Sequence, residues 1–251
     1  MDALKLSADR KVSPVSRWED GAQRWKPTVR NAFGLPGGRN GSCGDAATDT
    51  CHAVCYAQRT ERQYTSVGRL VTHNYRTLLE SKDMAATLSA MVEDFLADCD
   101  KADAKRSQPV ARVFRIHWDG ELFSADYAAA WGEVCARYPE VTFWLYTRAF
   151  AHATELPTLP NLTVYLSVDA DNVEWAKVYV TLYPDLHVAM MGATFSDAQE
   201  AMVTLTGKRA PKCPENSGKV PLVNDAGEGA CVTCGLCVYG RQNVLFSTTK
   251  R

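Results

Sequence analysis

The chain has 251 residues, of which 46% are hydrophobic and 23% charged, and its formal net charge is −1. That length buries a sizeable core without covalent staples, and the composition is that of an ordinary soluble globular chain. A charge near zero gives no global pull toward nucleic acid or membrane, and no apolar run approaches the roughly 20 residues of a membrane helix.

The chain opens with about 30 polar residues that carry Trp18 and Trp25 and show no clean period. They are expected to form an irregular arm (1–30) ahead of one α/β domain (31–251). Met1 to Ser16 has no apolar stretch between its charges, so it does not resemble a secretory signal, and a cytoplasmic location is expected. A Gly-rich stretch from Asn31 to Gly44 follows, too punctuated by glycine and proline for a helix or strand. Helical spacing then places Val67, Leu70, Val71, Tyr75 and Leu78 on one face of Glu61 to Leu79. A second helix, Met84 to Cys99, lines up Leu88, Met91, Val92, Phe95, Leu96 and Cys99. From Val110 the pattern changes to strands alternating with helices. Strands are predicted at Val110–His117, Val141–Tyr146, Leu162–Val168 and His187–Met191. Ser124 and Asn172 are candidate caps for the helices between them, and Ser196 with Gln199 suggests a capping box before another. Such alternation implies parallel βαβ units: an open curved sheet or a partial (β/α) barrel, short of the full eight strands of a TIM barrel. The last 40 residues or so, from about 207 to 251, form a Cys-rich extension with no clear periodic element.

Nine cysteines in a reducing compartment are not a disulfide framework, so they are read as metal ligands or core residues. Cys43, Cys51 and Cys55 are spaced C-x7-C-x3-C. Thiolates at such spacing suit an iron–sulfur cluster or zinc. Three of them on a four-iron (4Fe-4S) cluster would leave one iron open to a ligand, whereas His52 as a fourth ligand would close it. Gly37, Gly38, Gly41 and Gly44 have a role in this reading, since small residues let backbone amides approach cluster sulfides. Cys231, Cys234 and Cys237 form C-x2-C-x2-C, the core of the bacterial ferredoxin spacing, and Cys213 can complete the set from upstream. Zinc is the alternative, because C-x2-C pairs also build zinc ribbons. One or two clusters fit the sequence equally. Cys99 and Cys135 fall in register with Phe95 and Trp131 on apolar helix faces, so they are assigned to the core.

In parallel α/β folds the chemistry sits at the carboxyl ends of the strands. Those ends carry His117 and Asp119, then Arg148, then Asp169. These four are the candidate catalytic residues, able in principle to line a polar site beside an open iron. The bland alternative is that they are ordinary polar strand-to-loop transitions.

Three stretches also resemble the phage-encoded gene product 88 family: Phe33-Gly-Leu-Pro-Gly-Gly with Cys43-Gly and Cys51-His-Ala-Val-Cys-Tyr-Ala57; Arg115-Ile-His-Trp-Asp-Gly-Glu-Leu-Phe-Ser124 with Trp131; and Phe143-Trp-Leu-Tyr-Thr-Arg148. The terminal cysteine run belongs to the same resemblance, which spans about residues 30 to 240. That family is similar to radical S-adenosylmethionine proteins, so the resemblance implies phage origin, a radical-SAM-like barrel, iron–sulfur binding and S-adenosylmethionine as a possible ligand. The chain departs from the radical-SAM C-x3-C-x2-C spacing, has Gln58 where the third cysteine of that pattern would fall, and has no glycine-glycine-glutamate segment. Two functions follow as expectations. One is an iron–sulfur enzyme acting on an unidentified small molecule. The other is a non-catalytic metalloprotein that binds a host protein or nucleic acid, with no membrane partner.

Overall fold

A computed structural model describes residues 3–249. Its centre is a six-stranded sheet of β3 (Ala32–Gly34), β4 (Val113–Asp119), β5 (Thr142–Thr147), β6 (Leu162–Val168), β7 (His187–Gly192) and β8 (Val244–Ser247). All five pairings are parallel, and the order in space is the order in the chain. Each crossover therefore steps one strand in the same direction, as in a singly wound barrel. Among the described residues, the edge strands β3 and β8 do not pair with each other, so no barrel closes.

The helices are α1 (Asp49–Ala53), α2 (Tyr56–Gln63), α3 (Thr65–Leu79), α4 (Met84–Asp103), α5 (Ala125–Arg137), α6 (Phe150–Ala153), α7 (Val173–Leu182), α8 (Phe195–Thr206) and α9 (Ala230–Cys234). Alternate strand residues divide the sheet into two faces. Phe114, Phe143, Leu145, Leu166, Val168 and Met190 join the apolar sides of α4, α5 and α8 in the main core. Val113, Trp144, Tyr165, Ala189 and Val244 point the other way, and they are covered by Val12 from the N-terminal arm and by the Cys-rich segment. Cys99 and Cys135 lie fully buried in the main core, as their helical register required.

Several expectations are corrected. The arm is not wholly irregular. Strands β1 (Ser16–Glu19) and β2 (Arg24–Pro27) form an antiparallel hairpin, with the Trp18 and Trp25 rings edge-to-face at 5.5 Å. The Gly-rich stretch begins with the short strand β3. The single helix expected from Glu61 is two, because Tyr64 adopts extended backbone (φ −123°, ψ 98°) and breaks the run. The capping box before α8 is Thr194 with Asp197, not Ser196 with Gln199. Asp197 N–H donates to Thr194 Oγ1 at 3.2 Å, and Thr194 N–H to Asp197 Oδ2 at 2.9 Å. Asn172 precedes α7 but does not cap it: its side chain bonds back to Ser167 and Asp169. The C-terminal extension supplies α9 and the sixth strand, both too short to reveal a period.

Candidate functional site

The loop between β3 and α1 crosses the carboxyl end of the sheet and is fastened to the turn after β4. Leu35 N–H donates to Asp119 O at 2.9 Å. Ser42 Oγ donates to Pro36 O at 2.9 Å and accepts from Glu121 N–H at 3.0 Å. The turn needs Gly120, whose φ is +85° and where a Cβ would stand 2.6 Å from Leu35 Cβ. Of the four glycines expected to approach a cluster, Gly38 sends its N–H to Cys43 Sγ at 3.2 Å, and Gly41 N–H turns back to Gly38 O at 3.0 Å. Gly37 instead donates to Glu61 Oε1 at 2.8 Å, and Gly44 only opens the turn after Cys43.

Cys51 and Cys55 are set by two short helices. Thr48 caps α1 by accepting from Cys51 N–H at 3.0 Å, and Cys55 Sγ caps α2 by accepting from Gln58 N–H at 3.5 Å. Thr48 Oγ1 also donates to Asp169 Oδ2 at 2.7 Å. Asp169 takes the Arg148 guanidinium at 2.5 Å on that same oxygen and the Asp171 amide at 3.0 Å on the other. The Arg148 and Asp169 side chains are 9% and 0% exposed, so this ion pair is nearly dry. It carries the position of Cys51 back to the ends of β5 and β6.

The four strand-end candidates do not share one space. Arg148 and Asp169 meet each other. Asp119, 3% exposed, faces Glu61, and neither of its carboxyl oxygens has a hydrogen-bond partner among the described residues. Burial, and then the nearby Glu61 carboxylate, push its pKa up to about 8. His117 is carried to the helix-side core. Two residues of β3 span four of β4 between the pairs Ala32–Arg115 and Gly34–Asp119, and His117 takes φ 57° in that bulge. Its Nε2 sits 2.8 Å from Tyr127 Oη, and burial lowers its pKa to about 3, so it is neutral.

The sequence reading missed Glu121, which is 5% exposed. It accepts from Leu122 N–H (2.8 Å), Thr147 Oγ1 (2.5 Å) and Arg148 N–H (2.6 Å). Burial raises its pKa, and these three donors oppose the rise. Its partners Thr147 and Arg148 lie 26 and 27 residues away, so no local signal marked it. Thr48 was legible in principle as a cap residue three positions before Cys51.

The second cysteine group lies on the sheet face opposite the helices. Cys213 N–H donates to Leu245 O of β8, and Cys231 N–H to Lys11 O of the arm, both at 2.9 Å. Cys231 and Cys237 pack against Trp144 and Val113, while Cys213, Cys234 and Cys237 pack against Tyr165 and Val244. Burial drives the Cys237 thiol up to about 12, opposed by the Tyr146 and Tyr165 hydroxyls that it faces. Cys231 is likewise pushed up to about 12, against the pull of Arg115 and Lys11. Cys43 and Cys51 are raised by burial as well, and each feels another thiol of its own group. Among the described residues, no three His, Cys, Asp or Glu side chains converge closely enough to hold a single metal ion. The expectation of a formed ion site, for zinc or iron, is therefore not carried by the side-chain positions.

The sequence profile described as Gene product 88 matches residues 4–240. The chain belongs to the gene product 88 family. It is 40% identical over 255 residues to the Gene 88 protein of Mycobacterium phage L5, and 39% identical over 256 residues to that of Mycobacterium phage D29. Both alignments cover 100% of this chain and 100% of the relative. These phage relatives support a bacteriophage origin for this gene product 88 chain. No solved structure matches it. Among the described residues of this family member, no helix is long and apolar enough to cross a membrane.

Proposed function

We propose that the protein is an iron–sulfur protein on an incomplete, radical-SAM-like (β/α) barrel, with Cys43, Cys51 and Cys55 in one group and Cys213, Cys231, Cys234 and Cys237 in the other. The observation that carries this reading is the division of the nine cysteines. Cys99 and Cys135 are buried in the apolar core, whereas the other seven are only partly covered. Those seven lie in loops and short helices, and four have donors turned toward sulfur: the Gly38 amide at Cys43, the Gln58 amide at Cys55, the amides of residues 215 and 216 at Cys213, and the Tyr146 and Tyr165 hydroxyls at Cys237. Such donors favour thiolate over thiol and tune a cluster's potential. The donor set fits a cluster: soft thiols, the Gly38 N–H on Cys43, and the cations Arg115 and Lys11 beside Cys231 to balance negative charge. A bound cluster would supply electron transfer or, in the three-cysteine group, an iron open to a ligand such as S-adenosylmethionine.

One observation favours an iron–sulfur-dependent enzyme over a structural or electron-transfer protein. Asp119 is a buried carboxyl group beside the first cysteine loop that faces Glu61, and burial with that neighbour raises its pKa. Arg148 and Asp169 satisfy each other, so their role is to position the loop of Cys51. The test is anaerobic purification followed by metal and sulfide analysis. Brown protein with iron and acid-labile sulfide supports the reading, and stoichiometric zinc without iron overturns it. Binding of S-adenosylmethionine to the iron-loaded protein would then favour the enzyme.

A further inference from the structure

Two concave surfaces open on the α2–α3 helix pair. They have volumes of about 460 and 290 Å³ and share Gly68 and Thr72, so they form one groove. The groove runs along α3 from Glu80 past Arg76 and Arg69, reaches Arg62 on α2, and ends at Gly37. Positions 69, 72, 73, 76 and 80 recur at helical spacing and make one polar stripe, while Val71 and Leu78 turn to the interior. Gly68 lets the two helices approach, since a Cβ there would stand 3.3 Å from Glu61 O.

The groove is basic in a chain that is not. Its lining carries Arg62, Arg69 and Arg76 against Glu80 and one further glutamate, a net of +1 against −1 for the whole protein. That glutamate, Glu61, is turned inward to the Gly37 amide. Among the described residues, Arg59, Arg62 and Arg69 form no ion pair, and Arg76 has one weak pair, with Glu80 at 3.8 Å, both side chains more than 70% exposed. Arg69 and Arg76 are separated by about 10 Å of helix rise. At the two ends of α2, Tyr56 and Tyr64 expose 57% and 53% of their surface. The Tyr56 ring is held by its hydroxyl, which donates to Trp118 O at 2.6 Å.

Guanidinium groups pair with phosphates through parallel hydrogen bonds, and exposed aromatic faces stack on unpaired bases. We propose that the α2–α3 groove binds single-stranded nucleic acid, with Arg62, Arg69 and Arg76 on phosphates of one strand and Tyr64, at the junction of the two helices, as a stacking face. An acidic protein segment would satisfy the same charges, and poly-glutamate in the test below stands for it. Metal content plays no part in this recognition.

The test is fluorescence anisotropy of a labelled oligo-dT strand titrated with the full-length protein across a salt series. The parent protein should bind, with affinity falling steeply as salt rises. The triple variant Arg62→Ala/Arg69→Ala/Arg76→Ala, all surface changes that should leave the circular dichroism unaltered, should weaken binding by about tenfold or more. It should also flatten the log–log salt slope by about 2, since each single-strand phosphate contact contributes about 0.7. Tyr64→Ala should weaken binding with little change of slope. No binding by the parent, an unchanged triple variant, or equal affinity for poly-glutamate or for a duplex would each overturn the proposal.

Discussion

The Arg148–Asp169 pair is the most exposed point of the site's design to a mutational test, because both groups are charged and nearly dry. Asp169→Ala removes the partner of a guanidinium that is 9% exposed, together with its bonds to Thr48 Oγ1 and the Asp171 amide. Breaking a buried ion pair from one side costs about 3–5 kcal/mol, chiefly because the remaining charge is stranded. Arg148→Met leaves Asp169 with Thr48 and the Asp171 amide, so its cost should fall at the low end of that range. The double variant Arg148→Met/Asp169→Ala strands neither charge. It should therefore be at least about 2 kcal/mol more stable than the sum of the single losses predicts. Equilibrium denaturation in guanidinium chloride, followed by circular dichroism, measures all four corners of this cycle. Thiol labelling adds a local readout: Asp169→Ala should speed alkylation of Cys51, which is tied to Asp169 through Thr48, and leave Cys99 protected. Single variants that add within about 0.5 kcal/mol, or Cys51 labelling that does not change, would refute the reasoning.

Two further outcomes follow from the buried groups. Burial and the facing Glu61 carboxylate push the Asp119 pKa up from 3.8 to about 8. Between those values the folded state binds more protons, so this group's contribution to stability falls as pH rises. Asp119→Asn should flatten that slope and raise stability near pH 8 relative to the parent, and a parallel pH profile for the two proteins would count against the burial of this acid. Cys99→Ala and Cys135→Ala should each cost about 1–2 kcal/mol with metal content unchanged, while Cys55→Ala and Cys234→Ala should lose metal and solubility. Equal metal loss in both groups of variants would show that the division of cysteines is wrong.

The periodic strands at the middle of the sheet were legible in the sequence because each is long enough to display its pattern: Leu162–Val168 lies where it was read, and its neighbours shift by at most a few residues. The Ser124 cap and the burial of Cys99 and Cys135 followed from local spacing alone, as helical register fixes which side chains face inward. The edge strands β3 and β8 escaped, since three or four residues among glycines carry no period. The partners of the charged groups escaped for a different reason. His117, Asp119, Arg148 and Asp169 all stand at strand ends, as the βαβ pattern implied, but a bulge in β4 sends His117 into the helix-side core. Glu121 and Thr48 reach partners 26 and 121 residues away. Local chemistry thus determined the elements and the candidate ligands. Only the tertiary structure decided which carboxyl group is paired and which is left without a partner, because burial and long-range contact set the cost of a charge and neither is written in its neighbours along the chain.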